Sequence, residues 1–138
     1  MSHALIPRYK EIGTFRCGAF FLPWLLVDRG VGLVIGLGPS IKPGTYRYRY
    51  DKHGRDPLRE ERYHVTSRQA RLMAELTHSV LEIEQGKREE FTAMPSEERQ
   101  RIESASIGLY AFPVRSDWIE KCTEFAAWAP RSGGFWIR

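Results

Sequence analysis

The chain has 138 residues, with 21 Lys+Arg against 17 Asp+Glu for a formal charge of +4, 42% hydrophobic and 12% aromatic residues. That length fits one domain, residues 1–138, with enough apolar side chains to bury a core and too many for a disordered chain. A multidomain enzyme, a coiled coil, a collagen-like fibre and a disulfide-stapled mini-protein are all excluded.

The N-terminus lacks a basic stretch followed by an apolar one, so no signal peptide is expected. Residues 1–65 read as strand-rich. Gly13 to Phe21 contains Thr14, Phe15, Cys17, Phe20 and Phe21 and predicts a strand ending at or near Pro23. Ala19 to Gly38 is the most apolar stretch. Pro23, the pair Asp28-Arg29 and Gly30, Gly32, Gly36 and Gly38 interrupt it, which is incompatible with the roughly 18 or more apolar residues of a membrane span. The glycines also argue against helix, so Trp24–Val27 and Val31–Ile35 are expected to pair as a hairpin across the turn Asp28-Arg29-Gly30.

Thr45 to Asp51 alternates with a period of two. Tyr46, Tyr48 and Tyr50 fall on one strand face, and Arg47 and Arg49 on the other. Asp51-Lys52-His53-Gly54 has the composition of a type I turn. Glu61 to Val65 alternates again, with Tyr63 and Val65 on one side and Arg62 and His64 on the other. These two segments predict a hairpin with an arginine-rich outer face.

Residues 66–138 read as helix-rich. Thr66-Ser67-Arg68-Gln69 fits a capping box, Thr66 accepting from the Gln69 amide and Gln69 reaching back. Behind it Leu72, Leu76, Val80 and Ile83, joined by Met73, predict the buried stripe of a helix ending near Gln85-Gly86. Pro95 opens a shorter helix with Ser96, Glu97 and Glu98 in its first turn. Ile107 to Val114 is a strand or an extended connection. Ser116 is expected to cap a last helix whose stripe is Trp118, Ile119, Cys122, Phe125, Ala126 and Ala129, stopped by Pro130. After the turn at Gly133-Gly134, Phe135-Trp136-Ile137 is expected to dock as a final strand. The predicted fold class is α+β: a largely antiparallel sheet from the N-terminal half plus a C-terminal strand, packed against two or three helices that cover one face.

Motifs for catalysis are weak. The glycines between Gly30 and Ser40 lack dinucleotide spacing, Pro39 and Pro43 forbid an immediate helix, and no Walker lysine follows. Cys17 and Cys122 match no metal or redox spacing and are expected to be free, buried thiols, which points to a reducing cytosol. No two histidines have i,i+3 or i,i+4 spacing, so neither a metal nor another cofactor is expected. His53 and His64 are the one acid–base pair to weigh, for an enzyme of phosphodiester or nucleotide chemistry.

Charge is the more informative signal. Lys42 to Arg71 holds nine Lys/Arg against four acids, a net of +5, whereas Leu72 to Ser106 holds four against eight glutamates, a net of −4. The expected function is that of a small, cytosolic, non-enzymatic binding protein, an inhibitor or accessory factor. Its arginine/tyrosine hairpin (Arg47, Arg49, Lys52, Arg55, Arg62, His64 and Tyr48) would engage an anionic macromolecule, either an acidic protein surface or nucleic acid. Two alternatives are the His53/His64 enzyme and an oligomeric assembly protein using the Trp-rich C-terminus, with Trp128 and Trp136 as exposed contacts. No membrane partner is expected.

Overall fold

The computed structural model describes residues 2–37, 50–51, 53–105 and 114–138. Four strands, β1 (Ser2–Pro7), β2 (Phe15–Gly18), β3 (Tyr63–Thr66) and β4 (Gly134–Ile137), form an antiparallel sheet in the order β2-β1-β4-β3. Helices cover its inner face, so the α+β class holds, with 59% of the described residues helical and 16% in strands.

The strands follow from alternation where it exists. Phe15 and Cys17 of β2, Tyr63 and Val65 of β3, and Phe135 and Ile137 of β4 point inward and are buried. β1 was not anticipated from the sequence, because Leu5 and Ile6 are apolar on opposite faces and leave no clean period of two. Its register aligns Leu5 with Phe15 on one side and Ile137 on the other.

The expected hairpin at Trp24–Ile35 is helical instead. Phe21–Pro23 forms a first helical turn, α1, that runs into a π turn at Trp24–Asp28 closed by the Arg29 amide on the Trp24 carbonyl at 2.9 Å. A 3-10 turn follows at Val31–Ile35. A short, wholly buried apolar run carries no periodicity that separates strand from helix. The glycines, read as helix breakers, sit at helix ends: Gly30 and Gly36 flank the 3-10 turn with φ of 77° and 89°. Gly32 is required inside it, since a Cβ there would lie 2.7 Å from the Leu26 carbonyl oxygen.

Helix α2 (Ser67–Ala93) starts at the predicted capping box, with both reciprocal bonds formed. It continues well past Gly86. Glycine costs a helix interior only about 1 kcal/mol relative to alanine, and the strong helix formers Lys87, Arg88, Glu89 and Glu90 follow it. Arg88 also ties the extension down by donating to the Val114 carbonyl at 2.8 Å. The buried face is Ala70, Met73, Ala74, Thr77, Val80, Leu81 and Glu84. Of the expected stripe Met73 and Val80 are buried, whereas Leu72, Leu76 and Ile83 are exposed, Ile83 to 58%. Small side chains at Ala70 and Ala74 let the helix lie close to its neighbours, a preference that a search for large apolar residues overlooks.

Helix α3 (Ser96–Ala105) carries Glu97 and Glu98 in its first turn as expected. Helix α4 (Ser116–Trp128) buries Trp118, Cys122, Phe125 and Ala126 and half-buries Ile119, on the predicted stripe. Ser116 is its first helical residue rather than its cap: the flanking position is Arg115, which makes no side-chain capping bond and instead grips Asp117. The helix passes into a 3-10 turn at Ala129–Arg131 that contains Pro130.

Buried side chains from both halves form one cluster. Its aromatic centre brings Phe15, Phe125, Trp128 and Phe135 together at centroid separations of 5.4–6.5 Å. Glu84 is 2% exposed and is balanced by Arg29 at 2.8 Å and Lys87 at 3.5 Å, while the Arg29 guanidinium lies 5.1 Å from the centre of the Trp24 ring. Both cysteines are free and buried, and burial pushes each thiol up to about 12, helped at Cys122 by the charge of Glu84. Among the described residues no helix is long and apolar enough to cross a membrane.

Gly134 adopts φ 97°, and a Cβ there would meet the Val65 carbonyl oxygen at 2.8 Å and the Ser67 amide nitrogen at 3.0 Å. Gly134→Ala combines disfavoured backbone with a backbone clash and is expected to destabilise the protein by about 2 kcal/mol or more. Urea unfolding measures this; a loss below about 0.5 kcal/mol would show that the turn tolerates a side chain.

Candidate binding surface

Among the described residues, helices cover only the inner face of the sheet. On the outer face, alternation exposes Arg16 from β2, Ala4 and Ile6 from β1, Trp136 and Arg138 from β4, and Arg62 and His64 from β3. Two cross-strand rows result. In one, Ile6 faces Trp136 and Trp136 faces His64. The imidazole stacks on the indole with ring centroids 4.7 Å apart and planes inclined at 37°. In the other, Arg138 pairs through its backbone with Ala4 at 2.9 and 3.2 Å, and Ala4 faces Arg16. Arg62 lies one step beyond the Tyr63–Ile137 pair, which puts it beside Arg138.

With strands about 4.8 Å apart, Arg62, Arg138 and Arg16 span about 15 Å of sheet. Two residues along each strand, about 7 Å away, lies the row of Ile6, Trp136 and His64. Arg62, Arg138, Trp136, Ile6 and Glu61 line a depression of about 320 Å³ between the rows. Among the described residues, the guanidinium groups of Arg16, Arg62 and Arg138 form no ion pair or hydrogen bond.

The predicted site residues are distributed differently from expectation. Arg62 and His64 do face outward together. Arg47, Tyr48, Arg49 and Lys52 lie outside the described residues, as do Tyr46 and residues 107–113. Tyr50 is exposed and lies in no strand.

Arg55 is exposed but already engaged. It forms a bidentate pair with Glu60 at 2.5–3.0 Å and lies 5.3 Å from the centre of the Tyr63 ring. His53 sits in the turn anticipated from the sequence, where its amide donates to Asp51 Oδ1 at 2.8 Å and the Gly54 amide donates to the Asp51 carbonyl. His53 thus belongs to the Asp51 turn, whereas the ring of His64 rests on Trp136. Of the two tryptophans singled out, Trp128 is a packing residue that donates Nε1–H to the Gly13 carbonyl at 2.8 Å, and Trp136 belongs to the open face.

Sequence reasoning passed over Arg16, Arg138 and Ile6. Strands far apart in the chain bring them together, so no local count of charge marks them. No protein family, curated protein or solved structure matches this chain. Among the described residues no group of three or more His, Cys, Asp or Glu side chains is arranged to hold a metal ion.

The turn beneath β3 is held by Asp51. Its Oδ1 accepts the amides of His53 and Arg55, and its Oδ2 accepts the Tyr63 hydroxyl at 2.6 Å. Desolvation works against the charge on Asp51, but the Tyr63 hydroxyl and the two amides outweigh it and leave the carboxyl below its ordinary 3.8. Burial, then the bond to Asp51, pushes the Tyr63 phenol up.

A carboxylate with a lowered folded pKa stabilises the fold above its unfolded pKa of about 4 and loses that contribution as the pH falls through the folded value. Asp51→Asn is therefore expected to be less stable than wild type at pH 7, with the gap closing by pH 3. Denaturant midpoints at the two pH values measure it; a constant gap would mean that Asp51 acts through shape and not charge.

Proposed function

We propose that this chain is a small, non-enzymatic binding protein that engages an anionic macromolecule through the open face of its sheet. Three unpaired guanidinium groups in one row across the sheet, beside a half-buried indole, support this reading best. A guanidinium left without a carboxylate keeps its planar fork of donors free for phosphate or carboxylate oxygens. Arginines clustered with an aromatic residue are also the composition enriched where partners dock.

The distribution of charge supports the same reading. Helix α2 packs behind the sheet, and its 27 residues span about 40 Å. Glu89 and Glu90 are about 33 Å along the helix from Ser67 at its start, and α3 follows them. Those glutamates therefore lie several helical turns from the end of α2 that joins β3. Two unbridged cysteines support a reducing, cytosolic setting. An inhibitor or accessory factor that holds its partner by charge-assisted hydrogen bonds and steering fits these features.

The direct test is retention on immobilised heparin, a simple polyanion. Wild type is expected to bind at low salt and to elute as salt screens the contacts. Arg16→Glu/Arg62→Glu/Arg138→Glu is expected to elute at markedly lower salt while keeping the wild-type circular dichroism spectrum. Equal elution of the two proteins would remove the arginine row from the function.

A further inference from the structure

We infer that the anionic partner is a single-stranded nucleic acid, one base of which stacks on Trp136 in the depression beside Arg62 and Arg138; this rests on the proposed role of the open face. The occupant is selected by two chemistries that meet there. Arginines spaced along a row match the regular negative charge of a phosphate backbone. The aromatic row matches the flat faces of unpaired bases, which every nucleotide in a single strand offers and which a duplex hides within its stack. An acidic protein surface would use the first row but offers no regular series of flat, unpaired rings to the second.

The geometry suits one exposed base. His64 already lies against the indole of Trp136 and holds its position on the sheet, and Ile6 borders it on the other side. The free space is on the side of Arg62 and Arg138, where the depression has a volume of about 320 Å³, at the small end of ligand sites. A base there would contact apolar and aromatic surface while its flanking phosphates met the arginine row about 7 Å away along the strands. Glu61 on the rim is the one carboxylate lining the depression; it faces the base edge, where exocyclic amino groups are hydrogen-bond donors. A sheet face presenting aromatics and cations also demands no sequence of its partner.

The experiment is titration of the full chain with a fluorescein-labelled mixed-sequence oligonucleotide, the same sequence as a duplex, and polyglutamate, each across a salt series. The intrinsic tryptophan fluorescence is read in parallel with unlabelled strands. The single strand is expected to bind most tightly, with log K falling against log salt with a slope near −2, about 0.7 per arginine contact. Binding is expected to quench tryptophan emission. Trp136→Leu should weaken single-strand binding about fivefold or more. Should Trp136→Leu fail to fold, Trp136→Phe still decides: it retains a stacking face, so it should bind while losing the quench.

Tighter or equal binding of duplex or polyglutamate, or single-strand binding without a quench that depends on Trp136, overturns the inference but leaves the arginine face as the binding surface. Absence of binding to all three polyanions at low salt, in a protein that also passes through heparin, overturns both.

Discussion

The sheet depends on β4. It is the only described strand that pairs with both β1 and β3, and β1 and β3 do not pair with each other. Without it the sheet would reduce to the β1–β2 pair and an isolated β3, and no isolated strand is stable in water. The same four residues serve three purposes. Phe135 and Ile137 close the core, Trp136 anchors the open face, and Gly134 leaves free the space where a Cβ would meet the Val65 carbonyl oxygen at 2.8 Å. The arginine row, the stacked ring pair and the core are thus consequences of one register. Slipping β4 by a single residue would place Trp136 inside and Phe135 in solvent.

The structure tolerates polar groups beneath its surface where partners surround them. Glu84 belongs to the apolar face of α2, and its charge is balanced by Arg29, which the π turn delivers. That pair fastens the irregular, glycine-punctuated segment to the longest helix, and removing one partner would leave a buried charge at a cost of several kcal/mol. Asp51 plays the parallel part on the other side of β3: its two oxygens gather a turn and the Tyr63 hydroxyl. Asp28 is the contrasting case. Both its carboxylate oxygens are buried and accept no hydrogen bond, and burial raises its pKa against the opposing influence of Arg29. Its contribution to stability is therefore present at low pH and lost as the pH rises through the raised value, opposite in sign to that of Asp51.

How far the sequence could be read follows from which interactions are local. The capping box at Thr66 to Gln69, the stripe from Trp118 to Ala129 and the alternation at Tyr63 to Val65 are local patterns, and each forms as read. The α+β class followed from them. Trp24–Ile35 failed because its apolar runs, Trp24–Val27 and Val31–Ile35, are too short and continuous to show whether their period is that of strand or helix. The α2 stripe held at Met73 and Val80 but not at Leu72, Leu76 and Ile83, because the buried face takes in the small side chains of Ala70 and Ala74. Of the candidate site, Arg62 and His64 were legible, since strand alternation alone turns them outward. Arg16, Ile6 and Arg138 were not, because their meeting depends on pairing between segments more than a hundred residues apart.

That difference bears on how the open face would meet an anionic partner. A net charge of +4 is small, and the +5 of Lys42 to Arg71 includes Arg62 but neither Arg16 nor Arg138. Charge totals along the chain therefore misstate the field a partner meets. The relevant quantity is the number of guanidinium groups that share a face without a carboxylate, and topology sets that number: Arg62, Arg138 and Arg16 come from three strands. Three screened contacts provide weak attraction at physiological salt, and attraction alone discriminates poorly among polyanions. Selectivity must come from what lies beside them. On this face that neighbour is an indole stacked on an imidazole, a surface that would suit flat, unpaired rings.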